Sequence, residues 1–64
     1  MKLTNVEIAS ILEFSKNISA VEGGNHYVMT DGEMLYFAAD EKSARFLMDK
    51  GCKLYAINGV VVNA

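Results

Sequence analysis

The chain has 64 residues, of which 52% are hydrophobic and 22% charged, and it contains no proline. These proportions are typical of one folded domain, and they exclude a disordered, collagen-like or coiled-coil chain. The formal net charge is −2, because six lysines and arginines are dispersed among eight acidic residues. Since no basic run is present, the charge pattern argues against a nucleic-acid partner and against a membrane surface as partner.

The first residues and the rare residue types indicate the cellular setting. Glu7 and Glu13 interrupt the apolar positions near the N-terminus, so we expect no signal peptide. No apolar run reaches the length of a membrane span. Cys52 is the only cysteine and His26 the only histidine, which excludes an internal disulfide and a Cys/His zinc set. We therefore expect a cytoplasmic protein that needs neither a metal nor a cofactor.

A helix is predicted over residues 5–16. Thr4 and Glu7 have the spacing of a capping box, in which each side chain accepts a hydrogen bond from the backbone of the other residue. Phe14 lies on the flank of the apolar side. That side repeats every three or four residues, through Ile8, Ile11, Leu12 and Ser15.

Residues 18–22 fit two structures. If Asn17 ends the helix, these residues form a strand that turns at Gly23-Gly24-Asn25, and the order of elements is α-β-β-β-α-β-β. If the helix continues to a stop at Gly23, the order is α-β-β-α-β-β. The pattern favours the strand only slightly over the helix.

A hairpin is predicted around Asp31-Gly32, because this dipeptide tolerates the positive φ angles of a type I′ turn. The two strands are residues 26–30 and 33–37. A two-residue turn would pair Met29 with Met34, Val28 with Leu35, and Tyr27 with Tyr36. One face of the hairpin would then carry His26, Val28, Leu35 and Phe37, and the other Tyr27, Met29, Met34 and Tyr36.

The second half of the chain again predicts a helix followed by a hairpin, although no matched residues make the two halves a repeat. Asp40 is an N-cap candidate, and Gly51 is a left-handed residue that would end the helix. Asn58-Gly59 joins two β-branched runs and predicts a second hairpin, in which Ile57 faces Val60. The predicted fold is therefore a single α+β domain over residues 1–64. It has two helices and a small, mostly antiparallel sheet of four to five strands.

The candidate catalytic residues each have a structural explanation. His26 has no nucleophile near it in the sequence, and Cys52 follows a helix C-terminus, whose dipole disfavours a thiolate. Capping explains the pair Asp40-Glu41. Lys53 is the only cation on the tyrosine-bearing strands, so base stacking by Tyr27, Tyr36 and Tyr55 lacks the cations that hold phosphates. We therefore expect no enzymatic activity.

The predicted strands are apolar on both faces, which has two explanations. Either the two helices cover opposite faces of the sheet, or one face contacts another chain. Tyrosine and methionine are enriched at interfaces. The candidate partner-binding face is therefore Tyr27, Met29, Met34 and Tyr36.

A 64-residue chain buries only enough surface for marginal stability, which favours a partner. The leading hypothesis is a small non-enzymatic protein that binds and occludes a larger macromolecule, as an inhibitor or adaptor. Small proteins of this kind include those made by viruses of bacteria. The alternative is a homodimeric module that binds a small ligand or nucleic acid.

Overall fold

The computed structural model describes residues 1–62, which form two helices and one four-stranded antiparallel sheet. The predicted α+β class is confirmed with four strands. Residues 63 and 64 of the predicted domain lie outside the described part. The helices are α1 (Asn5–Glu22) and α2 (Glu41–Asp49), and the strands are β1 (Tyr27–Thr30), β2 (Leu35–Ala38), β3 (Lys53–Ile57) and β4 (Val60–Val61). The strands are arranged in the order β2-β1-β3-β4.

Helix α1 is longer than the sequence analysis favoured. The predicted capping box is present, since Thr4 and Glu7 exchange backbone-to-side-chain hydrogen bonds of 2.9 and 3.2 Å. The helix continues past residue 16 as far as Glu22, so the strand predicted over residues 18–22 is wrong and the order is α-β-β-α-β-β. The helix ends at Gly23, which has a φ of 76° and donates its amide to Ser19. A glycine is the first residue here that leaves the helix at little cost.

The first hairpin has a wider turn than predicted. Met29 pairs with Tyr36 instead of Met34, so the predicted register is wrong by two residues and four residues join the strands. Asp31 does not take up a left-handed conformation. Its carboxylate instead accepts hydrogen bonds from the amides of Glu33 and Met34, at 2.8 and 2.9 Å. Because the register shift is even, each strand residue stays on its predicted face.

The predicted signals in the second half of the chain are confirmed. Asp40 caps α2 by accepting the Ser43 amide at 2.7 Å. Gly51, with a φ of 98°, ends α2, and the Cys52 amide then bonds to an earlier carbonyl of the helix. Asn58-Gly59 forms the second hairpin with φ angles of 51° and 82°. As predicted, the strand residues beside this turn pair, Ile57 with Val60.

The two helices cover opposite faces of the sheet. Val28 and Met29 are consecutive in β1, point to opposite faces, and are both 0% exposed. Met29 belongs to a cluster with Ala38 of β2 and Ala44 of α2, so α2 covers that face. On the other face, the ring of Phe14 in α1 contacts the ring of Phe37, which is paired with Val28. Both faces of the central strand are therefore core.

Helix α1 approaches the second hairpin very closely. A Cβ atom placed on Gly59 would lie 2.7 Å from the Cβ of Lys16 and 2.8 Å from the carbonyl oxygen of Leu12. On the same helix, Ser15 is completely buried, and its hydroxyl has no hydrogen-bond partner. The absence of a side chain at Gly59 thus permits the short separation between α1 and the second hairpin.

Candidate interaction surface

The structure divides the four residues predicted to form a partner-binding face. Met29 is fully buried in the cluster beneath α2, and Tyr27 is half-buried against the same cluster. Met34 and Tyr36 are 39% and 38% exposed. Only these last two are therefore exposed at the surface, on the turn and on the adjoining strand β2, while Met29 serves the core of the folded chain.

Tyr36 is held in place by the turn that precedes it. Its hydroxyl donates a 2.8 Å hydrogen bond to Asp31, and this bond raises the pKa of the phenol. The hydrogen bonds from the Met34 and Glu33 amides, followed by that from Tyr36, lower the pKa of Asp31 to about 2. The exposed ring of Tyr36 therefore has a fixed position beside the turn.

A different apolar surface is formed by all three phenylalanines of the chain. Phe14, Phe37 and Phe46 are 53%, 49% and 60% exposed. The Phe14 and Phe37 ring centroids are 5.1 Å apart at an interplanar angle of 66°, and Phe37 and Phe46 line one groove. We call these three residues the phenylalanine surface. It runs from α1 across edge strand β2 to α2.

Sequence reasoning missed this surface. The sequence pattern predicts Phe14 on the flank of the first helix and Phe37 on the hairpin face opposite the candidate partner-binding face. The signal was present in that pattern, because a bulky aromatic residue on the flank of an amphipathic helix lies at the boundary between core and solvent. What the pattern did not reveal was that both flanks meet at the same edge strand.

A groove runs between the outer edge of β2 and α2. It has a volume of about 410 Å³ and is lined by Phe37, Lys42, Ser43, Phe46 and Leu47. We call it the edge groove. Its apolar lining comes from Phe37, Phe46 and Leu47, and the Lys50 ammonium lies 5.3 Å from the centre of the Phe46 ring. Lysine and aromatic side chains therefore lie side by side along the unpaired outer edge of β2.

A second groove lies on the other side of α2, towards β3. It has a volume of about 600 Å³, and it includes the predicted residues Tyr27 and Met29 in its lining. Along α2, Arg45 donates two hydrogen bonds to Glu41, at 2.6 and 3.1 Å, so these two charges already satisfy each other.

The hydrogen bonds of His26 indicate a structural role. The ring is buried, its Nε2 atom lies 3.3 Å from Glu22, and its Nδ1 atom has no hydrogen-bond partner. The backbone of His26 exchanges two hydrogen bonds with Asn58, at 2.8 and 2.9 Å. These bonds join the end of α1, the start of β1 and the second turn.

The structure does not bring His26 and Cys52 together. His26 lies beside Asn58 at one end of β1, whereas Cys52 precedes β3, whose first residue Lys53 pairs with Thr30 at the other end. His26 and Thr30 are four residues apart along an extended strand, which separates them by about 13 Å. A thiol activated by this imidazole is therefore not assembled.

The described residues also bear on metals and membranes. Within residues 1–62, no three histidine, cysteine or acidic side chains cluster as metal ligands. Neither helix in that range combines the length and apolar character needed to cross a lipid bilayer.

Comparison with known proteins adds no relative. No protein-family model matches the sequence, and no curated protein or solved structure is significantly similar to it.

Proposed function

We propose that this chain is a small, non-enzymatic protein-interaction module, which binds a larger protein through the phenylalanine surface along β2. The observation that carries the proposal is the continuous exposure of Phe14, Phe37 and Phe46 across both helices and an edge strand. Large exposed aromatic patches on small domains are typical of protein-binding sites. Tyr36, the neighbour of Phe37 in β2, is 38% exposed on the opposite face of the same edge strand.

The position of the surface favours a protein as the partner. Among residues 1–62, strand β2 pairs only with β1, and an open edge offers unpaired backbone amides and carbonyls to another polypeptide. Rigid aromatic side chains on both sides of this edge supply apolar area at low entropic cost. When this chain of 64 residues binds a larger protein through the edge of β2, it would cover part of that protein's surface and act by occlusion, as an inhibitor or adaptor.

The test begins by identifying the partner through crosslinking and mass spectrometry and then purifying it. The dissociation constant of the reconstituted complex is measured with Phe37→Ser and Phe46→Ser. Val21→Ser is the matched control, because Val21 is 86% exposed on α1 and lies outside the phenylalanine surface. Loss of an interface anchor costs about 2 kcal/mol or more, so we expect at least about thirtyfold weaker binding for each phenylalanine variant.

Two outcomes would overturn the proposal. One is a complex whose affinity is the same for both phenylalanine variants and the control. The other is a catalysed reaction in which no binding partner takes part. Light scattering after size exclusion separates a further case, in which the chain pairs with itself along β2. In that case the phenylalanine variants become monomers while Val21→Ser stays dimeric, and the partner is a second copy.

A further inference from the structure

Resting on the proposed function, we further propose that the partner supplies an extended, acidic segment. This segment would add as a fifth strand to the open edge of β2 and lie in the edge groove beside α2. Pairing with an exposed sheet edge is a general way to bind a peptide: the backbone gives affinity, and pockets for alternate side chains give specificity.

Strand β2 lacks the features that keep edge strands from pairing. Its sequence, Leu-Tyr-Phe-Ala, contains no proline and no charged residue, and its register with β1 is continuous, without a bulge. Within the part of the chain that the structure describes, the N-terminal segment makes one backbone bond beside this strand, from the Lys2 amide to the carbonyl of Glu33, which precedes the strand. The outer side of Leu35–Ala38 is therefore open to an added strand.

The groove supplies pockets for the side chains of the added strand. Because α1 and α2 cover opposite faces of the sheet, a strand beside β2 would direct alternate side chains towards each helix. One set would meet Phe46 and Leu47 in the edge groove, and the other would meet Phe14, which already contacts Phe37. Apolar residues at alternate positions would therefore pack against Phe14, and the residues between them would enter the edge groove.

Two lysines determine the charge of the segment. Lys42 lines the groove, and Lys50 lies over the ring of Phe46. Neither takes part in the ion pairs formed among residues 1–62, which join Lys2 to Glu33, Arg45 to Glu41 and His26 to Glu22. The chain as a whole has a net charge of −2 and repels anions. Lys42 and Lys50 attract carboxylates locally, against this overall repulsion.

Two acidic residues near Lys42 in the sequence, Asp40 and Glu41, already have partners, since Glu41 accepts two hydrogen bonds from Arg45. The Asp40 carboxylate accepts the Ser43 amide, which lowers its pKa, and Lys42 contributes to the same lowering. A second copy of β2 would bring no carboxylate of its own. Of the acids that flank β2 in such a copy, Asp31 accepts the Tyr36 hydroxyl, Glu33 lies 4.0 Å from the Lys2 ammonium, and Asp40 accepts the Ser43 amide. An acidic segment of another protein therefore fits the groove better than self-pairing does.

The experiment is a selection of peptides by the full chain from a random twelve-residue library. We expect enrichment of proline-free sequences in which valine, isoleucine or aromatic residues alternate with aspartate or glutamate. The most enriched peptide is synthesised, and its binding is measured by fluorescence anisotropy. The double variant Lys42→Glu with Lys50→Glu should weaken binding at least about tenfold. The control with the same charge change is Lys16→Glu with Lys53→Glu, outside the groove, and it should bind as the unmodified chain does.

Nuclear magnetic resonance locates the peptide. On titration, the amide shifts of Leu35–Ala38 and of α2 should change, and circular dichroism checks that each variant is folded. Enrichment of basic or proline-rich peptides, no enrichment, or equal weakening by both double variants would overturn this inference. If any of these results is obtained but Phe46→Ser still weakens binding of the purified partner, the proposed function stands. If Phe46→Ser leaves the affinity for the purified partner unchanged, the proposed function itself is wrong.

Discussion

The hydroxyl of Tyr36 donates a 2.8 Å hydrogen bond to the carboxylate of Asp31, five residues earlier in the chain. The same carboxylate accepts the amides of Glu33 and Met34, so one side chain fixes both the turn and the start of β2. Because β2 is the strand that carries the proposed binding edge, Asp31 links the ionisation state of the chain to the shape of that edge.

The first prediction concerns stability in acid. The pKa of Asp31 is about 2 in the folded chain, below its ordinary value of 3.8, because the ionised form accepts three hydrogen bonds. The hydrogen bonds of the capping networks also lower the pKa of Glu7 and of Asp40. A lowered pKa stabilises the fold above the unfolded-state pKa, and this stabilisation is lost as the pH falls through the folded-state value. Stability should therefore decrease from about pH 4 towards pH 2.

The measurement is urea unfolding at several pH values between 6 and 2, for the unmodified chain and for Asp31→Asn. The variant should be less stable at pH 6 and should lose less stability on acidification, so the two curves converge. Asp49→Asn, which removes a carboxylate from outside the turn, should keep the acid dependence of the unmodified chain. Parallel curves for Asp31→Asn and the unmodified chain would contradict the role given to Asp31.

The second prediction concerns the contact between α1 and the second hairpin. Gly59→Ala should lower the free energy of unfolding by about 2–4 kcal/mol, because its Cβ would overlap Lys16 and its φ is 82°. Gly51→Ala is the matched control, since Gly51 has a φ of 98° but no atom within 4 Å of its added Cβ. It should cost about 1–2 kcal/mol, from the backbone alone. Equal losses for the two variants would mean that the helix is farther from the hairpin than described.

The third prediction concerns the buried hydroxyl of Ser15. Its Oγ atom has no partner, so Ser15→Ala should stabilise the chain by about 1 kcal/mol more than a helix-propensity gain alone. Ser10→Ala measures that propensity gain, because Ser10 is exposed on the same helix. Chemical denaturation of both variants provides the comparison. A net loss of stability for Ser15→Ala would show that the hydroxyl is hydrogen-bonded.

The fourth prediction separates binding from folding on the phenylalanine surface. Phe46 is 60% exposed, so Phe46→Ser should change the free energy of unfolding by less than about 1 kcal/mol. Met29→Ser, in the buried cluster, should cost about 3 kcal/mol or more. Thermal unfolding followed by circular dichroism measures both. A loss for Phe46→Ser as large as that for Met29→Ser would make this ring part of the core instead of a free contact.

The elements that were predicted correctly rest on local chemistry. Thr4 with Glu7, Asp40 with Ser43, and Asn58 with Gly59 each lie within a few residues of one another, so the sequence contains all the atoms that decide their structure. The prediction for the first turn was wrong, and the reason is also local. The backbone preference of Asp31-Gly32 competes with the hydrogen bonds of the Asp31 carboxylate, and the carboxylate prevails.

The candidate site depends on long-range packing, which the sequence pattern does not contain. Apolar strand faces were recognised, but the pattern did not decide whether helices or a partner cover them. Because α2 buries Met29 while Phe37 lies on an outer strand, the exposed apolar area moves from the tyrosine–methionine face to the edge of β2. Only the relative position of the two helices determines this.

Hydrogen exchange followed by mass spectrometry, on the free chain and on its complex with the purified partner, tests the binding surface most directly. The amides of residues 35–38 and of α2 should exchange more slowly in the complex, while those at the start of α1 keep their rates. Protection confined to other parts of the chain, with unchanged exchange along β2, would contradict the assignment of this edge as the site of binding.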